Sequence, residues 1–427
     1  MDGVTTLVGQ GLYMAMAAVT GLMLARMLRI DNTLGCLIAG VVAGILLPVI
    51  EFDTGIRADN LHQLVFFVIL PVLIFEAAWR IEPKLLKRWM GPILLLSTLG
   101  VAICALLTAV LIYYGIRHPG FPWIAALLTG TILAATDPVA VINKLRQTRA
   151  DKELLTVVEG ESLFNDAASI VLFSLVLGAA MHTVVEGAEV TGVPLFGMAD
   201  MSLYFTVIFF GGLALGLLCG LLTAIVVLFL GSAGAALATL VLSAFGTFYL
   251  AEHVVHVSGI LAVMVCAVVT RICLREQEDT FLADVGPTWE WLGLLFSALI
   301  FVIMGLVITP GMFTSQWLAM LIAIMAAVGA RALAIFLVAP LCRFVGPPLL
   351  KPWRLVLSWG GVRGVIALAL VLSLPTELPY WYTIQAMVFG VVLFSLLVQG
   401  TSTRFLINRM ADAEAEKLES ARSSGGH

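Results

Sequence analysis

The chain has 427 residues, 61% hydrophobic and 12% charged, with a net charge of −4 and a mean hydropathy of +1.07. A soluble globular protein carries about 25% charged residues, so this composition excludes that class and describes a polytopic membrane protein. The net charge says little by itself, because the distribution of Lys and Arg across a membrane matters more than their sum, and no nucleic-acid partner is expected.

The first apolar run continues to full span length, so it reads as a span and not as a cleavable signal. At about 20 apolar residues per span, thirteen helices are predicted. They cover residues 4–28, 33–50, 61–78, 91–115, 122–143, 156–181, 203–230, 234–252, 258–273, 289–309, 317–341, 354–374 and 383–406. The six cysteines, Cys36, Cys104, Cys219, Cys266, Cys273 and Cys342, lie along or at the edges of apolar runs without metal-like spacing and read as small packing residues. Gly40 and Gly44, and Gly212, Gly216 and Gly220, repeat every four residues, a spacing that lets helices approach closely.

Counting Lys and Arg tests the span number. With the N-terminus outside, the loops after odd-numbered spans and the C-terminal tail hold nineteen of the 23 basic residues, and the opposite side holds only Arg57 and Arg117. This asymmetry supports an odd span count, with the C-terminus in the cytoplasm of a cell whose plasma or inner membrane holds the chain. Arg331 and Arg363 fall inside spans 11 and 12, where they need partners.

Adding about 226 to the residue number maps spans 1, 3, 5 and 6 onto spans 8, 10, 12 and 13, an odd offset that inverts the second copy, as in many secondary transporters. The expected organisation is a first repeat over 1–202, a linking span over 203–232, a second inverted repeat over 233–406 and a short cytoplasmic tail over 407–427. The sequences of the halves are not visibly alike, so the expectation rests on spacing.

Two corresponding spans are interrupted. In span 5, Thr136-Asp137-Pro138 sets a proline mid-span, removing a backbone donor and pushing Asp137 away from helical dihedrals. In span 12, Gly360-Gly361-Val362-Arg363-Gly364 weakens the helix at the matching place. Broken helices expose half-helix ends whose amides attract anions and whose carbonyls attract cations. Arg363 is expected to offset free carbonyls in span 12, and Asp137 free amides in span 5.

Span 6, Val157 to Ala180, places Glu161, Ser162, Asn165 and Asp166 within a stretch otherwise able to cross a bilayer. A carboxylate near the bilayer centre costs at least ~2.5 kcal/mol, so such a residue marks a candidate site. Ser162, Asn165 and Asp166 share one helical face. Glu76, Asp137, Glu161 and Asp166 oppose only Arg331 and Arg363 in the presumed interior, so the site must hold protons, a cation or both. Asp166 is expected to take either a metal cation or a proton, in preference to serving as a structural carboxylate. Ser162 and the unwound carbonyl near Thr136 could supply further oxygens. Glu161 is expected to pair with Arg331, a register-fixing ion pair being favoured over a direct ligand role. Glu76 either lines the cavity as a further ligand or snorkels beside Arg80. Glu252, His253 and His256, at the outer end of span 8, form either an interfacial cap, the favoured reading, or a pH-responsive vestibule. Asp53-Thr54-Gly55 is a single triplet in a polar loop, and no protease, hydrolase or nucleotide-binding motif occurs, so an enzyme is not expected.

The segments ESLFNDAASIVLF, TDPVAV, GGVRGVIALAL, LAEHVVHVSGILA and ARALAIF, taken together, resemble the NhaP/NHE type of monovalent cation:proton antiporter over nearly the whole transmembrane chain. The resemblance implies a thirteen-helix all-α antiporter fold with two inverted six-helix repeats and crossed broken helices. It also implies a homodimer, and an elevator-like movement that exchanges Na+ or Li+ for H+. By motif position it implies Asp166 as the cation and proton site, Asn165 as its partner, Ser162 and the Thr136 carbonyl as ligands, and Glu161 as the partner of Arg331. The asparagine-aspartate pair implies electroneutral one-for-one exchange, in agreement with an amide that carries no second proton. No cofactor is implied, and the short tail is expected to carry no large regulatory domain. A K+/H+ antiporter of the same fold is the alternative, and a cation channel a more distant one.

Overall fold

The computed structural model describes residues 2–49, 64–80, 83–118, 120–138, 141, 142, 145, 151–185, 198–275, 285–403 and 405–408. Among these residues the regular structure is all helical, with no strand. Hydrocarbon offers no partner for backbone N–H and C=O groups, so each apolar segment satisfies its own. Eight of the described helices are long and apolar enough to cross a membrane, and Asn32–Leu46, Trp123–Ala134 and Gly259–Leu274 are shorter apolar helices. The chain is a multi-pass membrane protein. The triplet Asp53-Thr54-Gly55, half of the loop between predicted spans 5 and 6, and the tail beyond residue 408 lie outside the described residues.

Compactness divides the chain into one unit of residues 1–81, 194–317 and 368–386 and another of residues 82–193, 318–367 and 387–427. Each takes segments from both halves expected from the spacing, so compact units and predicted repeats divide the chain differently.

The first unit holds α1 (Asp2–Leu28), α2 (Asn32–Val49), α3 (a π-helical turn Val65–Ile69 continued by Leu70–Arg80) and α7 (Met198–Leu230), together with α8 (Ala233–Val255), α9 (Gly259–Leu274) and α10 (Val285–Val307). The spaced glycines mark its closest crossings. A Cβ at Gly40 would overlap the Val302 carbonyl where α2 meets α10, and one at Gly216 would overlap the Ala262 carbonyl where α7 meets α9. Lipid is as apolar as leucine, so such backbone-to-backbone packing, and not exclusion from water, holds these helices together. His256 ends α8 in the left-handed conformation, φ 58°. Glu252 then accepts a hydrogen bond from Gly259 N at 2.8 Å, placing a carboxylate at the N-terminus of α9 where the helix dipole favours it.

The second unit holds α4 (Pro83–Leu95 continued through Leu96–Gly100 and Val101–Ile116), α5 (Trp123–Ala134), α6 (Lys152–Val185), α11 (Trp317–Val338, tightening to a 3-10 turn Ala339–Phe344) and α12 (Lys351–Trp359). It also receives the first turn of α13 (Val365–Leu372) and the end of α14, which is Trp381–Phe394 continued by a π-helical turn Ser395–Gln399 and by helical residues 400–403. The segments Pro83–Leu95, Leu96–Gly100 and Val101–Ile116 form α4 as one continuous rod, starting before the predicted residue 91. The helix outruns its apolar stretch because Lys and Arg can lay their stems on apolar surface while the charge reaches the polar side. Arg88, in this extension, forms an ion pair with Glu153 near the start of α6.

Candidate functional site

Predicted span 5 is helical only to Ala134; Ala135 is extended, with φ −60° and ψ 137°. Pro138 explains the stop, since it has no N–H and bars helical dihedrals at the residue before it. The second break separates Trp359, the last residue of α12, from Val365, the first of α13. The two breaks bond directly, Asp137 N donating to Val362 O at 2.6 Å.

Charge compensation between the breaks runs crosswise, which corrects the expectation that each charge serves its own span. The Arg363 guanidinium donates to Ala135 O of the first break at 3.3 Å and to Ala327 O of α11 at 3.4 Å. The Asp137 carboxyl lies against Gly364 of the second break, where a Cβ would overlap its Oδ2. There it faces the start of α13, whose free amides and dipole favour negative charge. The physical reason is reach. Arg363 carries its charge on a long arm that passes its own backbone, whereas the short Asp137 side chain is brought across by the Asp137–Val362 hydrogen bond.

α6 attaches to the first break at Thr136. Ser162 Oγ donates to Thr136 O at 2.7 Å, Asn165 Oδ1 accepts from Thr136 N at 3.2 Å, and Asn165 Nδ2 donates to Thr136 Oγ1 at 2.5 Å. The same Nδ2 donates to Glu161 Oε1 at 3.0 Å. These bonds follow from the spacing, because positions 161, 162 and 165 are three and four residues apart and meet on consecutive turns.

Glu161 also accepts Arg331 of α11 in a two-pronged pair, Nη1 to Oε1 and Nη2 to Oε2, both 2.9 Å. Both side chains are buried. Such a pair repays desolvation only when its geometry is good and the remaining polar atoms are occupied. Here Arg331 Nε completes the set by donating to Leu357 O at 3.2 Å. Gly361 permits this crowding, since a Cβ there would stand 2.9 Å from Arg331 Nε and 3.2 Å from Thr136 Cγ2.

Asp166 differs from its neighbours. Its Oδ1 is buried and has no hydrogen-bond partner among the described residues, and it lies in the negative field of Asp137 and Glu161. Glu161 is matched by Arg331, so Asp166 is the carboxylate with acceptor capacity to spare. A hydroxyl oxygen can turn its proton away and a carbonyl has two lone pairs, so Ser162, one helical turn before Asp166, and the Thr136 O bonded to it could add hard oxygen donors.

The structure therefore brings Thr136, Asp137, Glu161, Ser162, Asn165, Arg331 and Arg363 into one network within the second unit. Glu76 belongs to α3 of the first unit, where it is buried, forms an ion pair with Arg80 and packs on Gly293. Sequence reasoning passed over Ser395, Gln399 and Thr403, all buried on α14. Their recurrence every four residues in an apolar run was the available signal.

The family model described as "Sodium/hydrogen exchanger, transmembrane" matches residues 14–409. The chain belongs to this sodium/hydrogen exchanger family. Among relatives in the exchanger family, the low-affinity Na+/H+ antiporter NhaS1 of Synechocystis sp. is 33% identical over 382 residues, 86% of this chain and 68% of that protein. The Na+/H+ antiporter NhaH of Halobacillus aidingensis is 28% identical over 409 residues, 94% of this chain and 97% of that protein. The structure of the sodium proton antiporter MjNhaP1 from Methanocaldococcus jannaschii at pH 8 has the same fold, with a TM-score of 0.79 and 21% identity over 95% of this chain and 99% of that chain.

Proposed function

We propose that the chain exchanges Na+ or Li+ for H+ across a cell membrane, one for one, with both ions competing for Asp166. The observation that carries the proposal is the buried Oδ1 of Asp166, without a hydrogen-bond partner among the described residues, on the helix whose Ser162 holds the unwound Thr136 carbonyl. The names of the relatives support Na+ and H+ as the substrates. A cation entering this site would be met by the carboxylate, the Ser162 hydroxyl and the Thr136 carbonyl, and the carboxyl would give up its proton in return.

A bare carboxylate is costly to carry through hydrocarbon. The occupied forms, with either Na+ or H+ on Asp166, are therefore the ones that cross between the two sides, and a ligand that binds both orientations can only shift the balance by its differential affinity. Asn165 carries no charge, which makes the exchange electroneutral. The working form is taken to be a homodimer, with the N-terminus outside and the C-terminus in the cytoplasm.

The test is reconstitution. Proteoliposomes with the unaltered chain should acidify or alkalinise in response to a Na+ gradient, insensitively to an imposed membrane potential. Asp166→Asn should abolish the exchange while leaving the protein folded and dimeric. Retained exchange in Asp166→Asn would overturn the assignment. Titrating proton release against Na+, Li+ and K+ separates the sodium reading from a potassium one.

A further inference from the structure

The half-helix α12 ends inside the protein, so the carbonyls of its last turn need partners other than water. Val356 O accepts from Gly360 N at 2.7 Å, and Leu357 O accepts from Arg331 Nε at 3.2 Å. Trp359 O accepts from Gln399 Nε2 on α14 at 3.2 Å. Gln399 is 3% exposed, and its own oxygen accepts from Ser395 Oγ at 2.7 Å, which leaves the amide nitrogen directed at α12. The Trp359 indole donates to Ser402 Oγ at 2.9 Å, so α14 holds the same residue by its side chain as well. Ser395 and Gln399 bound a π-helical turn, a local widening of the kind that recurs where a helix serves a site.

A buried glutamine in an apolar span is costly unless all its polar atoms are used. Here both ends are used, and the nitrogen is used on the last residue before the second break. Beyond Trp359 the chain passes Gly361 against Thr136 and Arg331, and Val362 O receives Asp137 N. We infer that Gln399 is a positioning residue of the site: by capping α12 at Trp359 it holds the segment 360–364 in the place from which that segment supports Thr136. It acts on the ion through backbone alone and touches neither Thr136 nor Asp166. The inference rests on the cation reading of that pair.

Gln399→Met keeps the length of the side chain and removes the amide; Ser395→Ala removes the hydroxyl that orients it. Both, and the double variant, are to be measured beside the wild type in proteoliposomes for Na+-dependent proton movement over a range of Na+. Na+-dependent thermal stabilisation in detergent supplies a readout independent of transport. The expected result for Gln399→Met is a KM for Na+ raised roughly 5–10-fold, the scale of one lost hydrogen bond with its carbonyl left unpaired. Vmax should change by less than about twofold, because the lost interaction acts on binding. Ser395→Ala should shift KM in the same direction by less, and the double variant should be no worse than Gln399→Met, as expected of residues acting in series. If Gln399→Met fails to fold, Ser395→Ala carries the test. An unchanged KM with a lowered Vmax or yield would mean that the cap merely stabilises the helix, and it overturns the inference. A wild type that neither exchanges nor gains stability from Na+ overturns the cation reading itself, which distinguishes the two failures.

Discussion

Asn165 Nδ2 donates to Glu161 Oε1 at 3.0 Å, one helical turn away, and to Thr136 Oγ1 at 2.5 Å. The amide is thus engaged in the frame around the site and not on the adjacent Asp166. Asn165→Asp would replace a donor by an acceptor and set two carboxylates face to face. The expected outcome is loss of Na+/H+ exchange with a melting temperature several degrees lower, since an unmade buried hydrogen bond costs about 1–3 kcal/mol. Thermal unfolding and transport under an imposed potential check this. A stable Asn165→Asp protein driven by voltage would contradict it.

The proposed competition at Asp166 fixes the sign of the pH dependence. In that proposal protons and Na+ exclude one another, so the apparent KM for Na+ should rise as pH falls while Vmax stays constant. Below the pKa of the carboxyl each unit of pH should raise KM about tenfold, by mass action alone. Above it KM should be flat. Initial rates over a grid of Na+ concentration and pH decide the matter, and a Vmax that falls with pH at constant KM would rule competition out.

The Glu161–Arg331 pair is expected to behave as a unit. Glu161→Gln or Arg331→Met alone should destabilise by about 3–5 kcal/mol, because each leaves a buried charge without its partner. The double variant should be milder than either single. It should still fall short of the wild type, since Leu357 O loses its bond to Arg331. Chemical denaturation of the four proteins in a double-mutant cycle measures the coupling, and strictly additive losses would dissolve the pair as a functional unit.

Gly364→Ala tests the crossing of the two breaks. The added methyl would overlap the Asp137 carboxyl, forcing it away from the start of α13. Exchange should drop roughly tenfold, the cost of displacing one charge from a favourable partly buried helix end being up to ~2 kcal/mol. Gly329→Ala, where a Cβ would meet nothing within 4 Å, is the control and should be silent.

Much of this arrangement is visible in the residues themselves. Pro138 and the glycines around Arg363 announce two breaks because their backbone restrictions are local and strong. The i, i+3 and i, i+4 spacing of Glu161, Ser162, Asn165 and Asp166 predicts a polar face for the same reason. Partner choice is another matter. That Arg363 reaches Ala135 O, or that Asn165 turns to Glu161, depends on how α5, α6, α11 and α12 are brought together, and no spacing within one helix encodes it. Gln399 went unnoticed because a single uncharged amide scarcely lowers the hydropathy of an apolar run. Helix bounds erred where basic side chains carry α4 past the apolar stretch.

The pairing of Glu161 with Arg331 also bears on how the protein is made. The two residues are 170 positions apart, so at a synthesis rate of about 5–20 residues per second Glu161 is delivered on the order of 10–30 s before its counter-ion exists. During that interval α6 carries an unmatched carboxylate. It must wait near the membrane surface, at the insertion machinery, or protonated. The helix bearing the proposed ion site is thus completed in its final form only after the second half of the chain has been translated, which makes assembly of that site a late event in biogenesis.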